Sequence, residues 1–164
     1  MSTLDELSIH IEGTEEWPSL PPQDDLGEMP HFDFAMQRYF FDDNHRISLT
    51  VGPFKRGMHF FPDIALVFQF LPGVISSLIR REPVDLTFPE SQVFLEWSPR
   101  NGKLVCNVGT FGTEPCQYLV LLDANQILSE LKAFLEEVLG RAVTAGYVSK
   151  KEAAAFEREL FEDR

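Results

Sequence analysis

The chain has 164 residues, 26 of them acidic and 14 basic, and its formal net charge is −12. That length fits one domain with its own core, and the acidic balance argues against direct binding to nucleic acid, which needs clustered lysine and arginine. The longest apolar run, residues 64–79, is too short to span a bilayer and is interrupted by Gln69, Pro72 and Gly73. We therefore expect no membrane partner.

The negative charge is concentrated at the start of the chain. The first 37 residues hold nine carboxylates and no lysine or arginine. A segment of one sign creates a field that selects partners of the opposite sign. Within it, residues 13–30 carry four prolines and five acids. This composition cannot build a core layer, so we expect an acidic, proline-rich loop there.

Alternating apolar residues predict three strands in the first part of the chain. The first lies within residues 4–12. The second and third, at 31–41 and 46–51, form a predicted hairpin around the turn residues 42–45. A loop over residues 52–57 is expected to close this pair.

The stretch from Pro62 to Arg81 is apolar on nearly all sides, which predicts a buried element. Asp63 is a candidate cap for a helix start, whereas Pro72 clashes with the preceding turn of any helix that runs through it. Two structures fit these constraints. One is a helix kinked at Pro72, which we prefer. The other is an extended segment followed by a helix from Pro72.

Four more strands are predicted at residues 84–88, 93–97, 104–108 and 116–122. The second and third are joined by a turn that contains Asn101-Gly102, the strongest short signal for a hairpin.

Two helices are predicted to end the chain. The first runs from Asp123 to Ala145, where Asp123 and Gln126 form a capping box. Ser149 and Glu152 form a second capping box before a short last helix. The first helix carries one wide apolar stripe: Ile127, Leu128, Leu131, Phe134, Leu135, Val138, Leu139 and Ala142.

These elements predict an α+β fold in a single domain over residues 1–164. We expect one antiparallel sheet of about five to seven strands, with a buried helical element in mid-chain and the two C-terminal helices packed on it.

The two cysteines are not expected to form a disulfide. A hairpin centred near Gly112 would place Cys106 opposite about Tyr118 rather than opposite Cys116. Free thiols suit a reducing compartment, and the first residues lack the basic and apolar parts of a secretion signal. The sequence therefore predicts a cytoplasmic protein.

The chain carries no recognisable catalytic, metal or cofactor motif. Residues 109–113 resemble a phosphate loop only in their glycines, because the lysine and the following helix are missing. We therefore expect a non-enzymatic protein that binds other proteins, of inhibitor or immunity type, and neutralises a basic partner. The phenylalanine pair at 40–41 has acidic neighbours, as anchors at interfaces often do. The predicted contact residues are Asp24, Asp25, Glu28, Asp33, Phe40, Phe41, Asp42 and Asp43.

Two alternative functions are suggested by the aromatic segment from Phe54 to Phe70. Its large apolar side chains are expected to lie mainly in the core. If exposed, they would form either the interface of a homodimeric structural or adaptor protein or a phenylalanine-lined pocket for a small ligand. The segment also contains Met58, Phe60, Phe61 and Phe68.

Overall fold

The computed structural model describes residues 4–12, 17–19 and 47–159, which contain seven strands and four α-helices. The strands are β1 (Leu7–Ile11), β2 (Ile47–Val51), β3 (Phe54–Met58), β4 (Val84–Phe88), β5 (Val93–Arg100), β6 (Lys103–Thr110) and β7 (Cys116–Leu122). The helices are α1 (Ala65–Phe68), α2 (Leu71–Ile79), α3 (Ala124–Ala145) and α4 (Lys150–Glu159), and a π-helical turn, Phe60–Ile64, precedes α1.

The strands form two antiparallel sheets, with the orders β1-β2-β3 and β4-β5-β6-β7. The α+β class is confirmed, but the prediction of one continuous sheet was wrong. Within the described ranges, the two sheets meet at one parallel bridge between Asp5 and Leu122, where the Asp5 amide donates to the Leu121 carbonyl at 3.1 Å.

Side chains of α3 keep the two sheets apart beyond this bridge. The Gln126 amide accepts from the Leu7 N–H at 3.0 Å and donates to the Leu7 carbonyl at 2.7 Å. The Ile9 N–H donates to Glu130 at 3.4 Å. Because these groups are taken by a helix, the edge of β1 cannot continue its pairing with β7.

This contact also corrects the predicted capping box. Asp123 caps α3 by accepting from the Gln126 N–H at 3.0 Å, as expected. The Gln126 side chain reaches across to β1 instead of turning back to the cap residue. The second capping box is confirmed in both directions, since Ser149 and Glu152 exchange two hydrogen bonds of 3.1 Å.

The loop predicted over residues 52–57 is mostly strand. β3 pairs with β2 through a tight turn at Gly52, which has a φ of +54°. The Gly52 N–H donates to the Glu6 carbonyl at 3.1 Å, and a Cβ at this position would lie 3.0 Å from side-chain atoms of both Asp5 and Val120. Glycine therefore lets the β2–β3 turn sit directly against the junction of the two sheets.

The apolar stretch predicted as a buried element lies between β3 and β4 in the chain. It is helical on both sides of a break at residues 69–70. Pro72 lies in the first turn of α2, where a missing N–H leaves no hydrogen bond unmade. The structure is therefore closer to the preferred prediction, a kinked helix, than to an extended segment followed by a helix. The break precedes Pro72 instead of lying at it. Asp63 does not cap α1, whose cap position is Ile64.

The core is formed by the inward faces of both sheets, by α2 and by α3. The predicted stripe of α3 is buried except for Leu128, which is partly exposed. Gly146 ends this helix with a φ of +84°. In α4, Phe156 packs against Phe68 with ring centroids 5.4 Å apart.

The hairpins of the second sheet form as predicted, except that the pairing register between β6 and β7 differs from the expected one. Asn101 and Gly102 both have positive φ, as the turn between β5 and β6 requires. Cys106 faces Val120 rather than Tyr118, and Cys116 faces Thr110. Both cysteines are free, which confirms the absence of a disulfide.

Replacing Leu135 by alanine should lower the free energy of unfolding by about 2–5 kcal/mol, because it leaves a cavity at a fully buried position. Denaturant titration followed by circular dichroism measures this change. Glu136→Ala, at the exposed neighbouring position, is the control and should shift stability by no more than about 0.5 kcal/mol. Equally small effects at both positions would show that the stripe is not core.

Candidate functional site

The residues predicted to contact a partner lie outside the part of the chain that the structure describes. They are Asp24, Asp25, Glu28, Asp33, Phe40, Phe41, Asp42 and Asp43. The predicted strand at 31–41 also lies outside it. These expectations stay predictions.

A short piece of the proline-rich segment, residues 17–19, is described and corrects the expectation for that part. Trp17 is buried and stacks on Tyr147 with ring centroids 5.7 Å apart. The Tyr147 hydroxyl donates to the Pro18 carbonyl. Proline and acid content alone did not show that one tryptophan anchors this segment to the end of α3.

An open groove of about 600 Å³ runs between α2 and β4. Its helical wall consists of residues three or four positions apart, which share one helix face: Val67, Phe70, Gly73, Val74, Ser77 and Arg80. Val67 and Val74 are buried and form an apolar floor, whereas Phe70 is 61% exposed. The volume is within the range of sites that bind peptides and small molecules.

The other wall of the groove is an edge strand. It is formed by the consecutive residues 84–87 together with Pro89. Consecutive strand residues point to opposite faces, so a groove lined by all four follows the strand's edge rather than one of its faces. In the described part of the chain, β4 pairs only with β5. Its other edge forms no ladder with any other strand that the structure describes.

Arg80 and Asp85 are the two charged residues that line this groove. Arg80 is the cation in its lining, and its guanidinium is held by the Ser76 hydroxyl at 2.7 Å and by Glu82 at 3.2 Å. Asp85 lines the groove, and Glu90 follows Pro89 at its end. With sequence neighbours of the lining residues included, three carboxylates stand against two arginines, Arg80 and Arg81.

The buried carboxylate of Asp63 holds the strand end of the groove in place. It accepts hydrogen bonds from the Glu90 N–H at 3.0 Å and from the Ser91 N–H at 3.2 Å, and a short bond from the Ser91 hydroxyl. A buried carboxylate needs such donors, because desolvation would otherwise be costly. Asp63 thereby fixes the turn that follows β4 and positions Pro89.

Asp63→Ala should lower the free energy of unfolding by about 2–4 kcal/mol, because it leaves donors of the β4–β5 turn without an acceptor. Ser91→Ala removes only the hydroxyl partner and should cost about 1 kcal/mol. Thermal and denaturant unfolding of the two variants give both values. Equal stability of Asp63→Ala and wild type would refute a structural role for this carboxylate.

The two cysteines differ sharply in their surroundings. Burial, with a smaller contribution from the negative charge of Glu96, raises the pKa of Cys106 to about 12. Its thiol is therefore protonated at neutral pH and is a poor nucleophile. Cys116 is exposed, and its N–H donates to the Thr110 hydroxyl at 3.1 Å.

A thiol-specific reagent at pH 7–8 should modify one cysteine per folded chain, namely Cys116, because Cys106 is buried and protonated. Absorbance of the released chromophore counts the modified thiols. Cys116→Ser should show no rapid reaction until denaturant is added. Two rapidly reacting thiols in the folded wild type would contradict the burial of Cys106.

The described residues contain no group of three or more side chains placed to hold a metal ion. Over the same ranges, no helix is long and apolar enough to cross a membrane. No protein-family model matches the chain, and no significant match was found among curated proteins or among solved structures. The groove therefore has to be interpreted from its own geometry.

The sequence pattern did not predict this groove. The segment from Phe54 to Phe70 was predicted to lie mainly in the core, and this holds for Phe54, Met58 and Phe68, which are buried. Phe70 is the exception, because the break before α2 turns it outward. A possible signal was the polar Gln69 beside it, which interrupts an otherwise apolar run.

Proposed function

We propose that this chain is a protein-binding domain, rather than an enzyme, that takes up an extended segment of a basic partner along the edge of β4. One observation carries the proposal: the groove is lined by consecutive residues of an edge strand on one side and by an apolar helix face on the other. Extended peptides recognise such sites by adding a strand to the sheet.

Strand addition assigns a separate task to each wall of the groove. The backbone of the partner pairs with β4, whose five residues offer roughly 17 Å of edge. Alternate side chains of the added strand then point toward Val67 and Val74, which supply an apolar surface. The remaining side chains lie on the same face as Asp85. The preferred segment therefore alternates apolar and polar residues.

Charge supports a basic partner. Asp85 lines the groove, Glu82 and Glu90 are sequence neighbours of lining residues, and the whole chain carries a formal charge of −12. Such a field speeds association with cationic segments and repels anionic ones. An inhibitor or immunity-type role follows if the bound segment belongs to the active surface of a basic enzyme or toxin.

A synthetic peptide that alternates valine with lysine over seven residues, here called the lysine peptide, tests the proposal. It should bind the wild type, whereas a peptide with glutamate in place of lysine should bind at least about tenfold more weakly, because the formal charge of −12 on the chain repels it. Alternate N-methylation of the lysine peptide should abolish binding, since it removes the backbone donors. Fluorescence anisotropy of labelled peptides measures the dissociation constants.

A large side chain at Gly73 can block the groove, and the same substitution at Gly140 is its control. A Cβ at Gly73 meets nothing within 4 Å, and the same holds for Gly140 on α3. Gly73→Phe should therefore fold and weaken lysine-peptide binding at least about tenfold. Gly140→Phe should fold and bind as wild type does. Equal binding by both variants, or undiminished binding of the N-methylated peptide, would refute strand addition at β4.

Self-association is the second candidate, and a different surface supports it. On β7, Leu119 is 73% exposed and Tyr118 is 40% exposed, and Phe111, before this strand, is also 40% exposed. Exposed apolar residues beside an edge strand favour pairing between chains. A sedimentation coefficient that rises with protein concentration would favour this homodimeric adaptor.

A further inference from the structure

A second depression, of about 170 Å³, lies where the turn between β5 and β6 approaches the start of α3. Arg81, Arg100 and Lys103 line it, together with Asn101 and Gly102 of the turn and with Ala124. We call it the cationic pocket. It is separate from the groove, although the neighbouring residues Arg80 and Arg81 line one each.

Among the residues that the structure describes, the three cations of this pocket have no carboxylate partner. Arg80 and Arg141 each form an ion pair, whereas the described part of the chain shows no ion pair for Arg81, Arg100 or Lys103. The chain has 26 acids for 14 bases, so three unpaired cations around one depression run against its composition. Like charges held close together repel each other, and a bound anion would remove this cost.

The backbone at Arg81 has the left-handed conformation of a helix C-terminal cap. Arg81 follows α2 with a φ of +58°. Its N–H donates to Leu78 at 3.1 Å, and that of Glu82 donates to Ser77 at 2.9 Å, so the helix ends in a Schellman motif. Glycine is the usual residue at this position, because a Cβ is unfavourable there. Arginine therefore occupies a position at which glycine would be more favourable.

We propose that the cationic pocket binds a phosphate group. A phosphate carries nearly two negative charges and presents several acceptor oxygens, which suit two guanidinium forks and an ammonium group. A depression of about 170 Å³ has room for one tetrahedral group and a small substituent. Ala124 forms the helical side of the pocket, and the helix start itself is capped by the Asp123 carboxylate.

The phosphate could arrive as the free ion or as a monoester of a small molecule, and the test separates these sources. Inorganic phosphate and phenyl phosphate are titrated into the protein at constant ionic strength, with acetate as the control anion. Chemical shifts of backbone amides measure binding. Binding of either phosphate at residues 100–103 supports the proposal, and tighter binding of phenyl phosphate identifies a monoester as the ligand class.

Variants test whether the three cations of the pocket are responsible for phosphate binding. Arg100→Gln/Lys103→Gln should weaken phosphate binding at least about tenfold. Lys55→Gln/Lys151→Gln removes the same charge at two exposed positions that do not line the pocket, and it should bind as wild type does. Similar losses in both double variants, or equal affinity for acetate and phosphate, would overturn the proposal.

Arg81→Gly separates binding from folding. The glycine relieves the positive φ, so the variant should melt no lower than wild type, yet it should bind phosphate more weakly. Unchanged phosphate affinity in a folded Arg81→Gly protein would show that the guanidinium does not contact the anion.

Discussion

The contact between the Gln126 amide and both backbone groups of Leu7 determines how the two sheets are arranged. One side chain of α3 occupies the edge of β1, so the bridge between Asp5 and Leu122 is the only point of strand pairing between the sheets among the described residues. Gly52 can then lie against that junction. The core forms where α3 covers both sheets, which explains why its stripe is buried along most of its length.

The edges of the sheets differ in a way that bears on function. The edge of β1 is closed by polar side chains of α3. The edge of β4 has a groove with an apolar floor beside it, and no other described strand pairs with this edge. Natural proteins usually protect a free edge, because it pairs readily with other chains. The proposed strand addition would use this edge, and Asp63 fixes the turn that follows β4.

Local sequence patterns predicted those parts of the structure that local physics determines. The Asn101-Gly102 turn, the stripe of α3 and the capping box of Ser149 with Glu152 all have the expected form. The separation into two sheets depends on a contact between residues 119 positions apart, which no local pattern reports. β3 was missed because its residues 55–57 are polar or glycine and do not alternate. The predicted contact residues lie outside the described ranges, whereas the groove arises from a helix break that makes Phe70 exposed.

The most direct test of the account is hydrogen–deuterium exchange at the backbone of β4, with and without the lysine peptide. Amides on the free edge of Val84–Phe88 should exchange rapidly in the unbound protein and become protected when the peptide adds a strand. The exchange of β7 amides should not change. Protection confined to β7, or binding of the peptide without any change at β4, would contradict the central claim that this edge is the recognition surface.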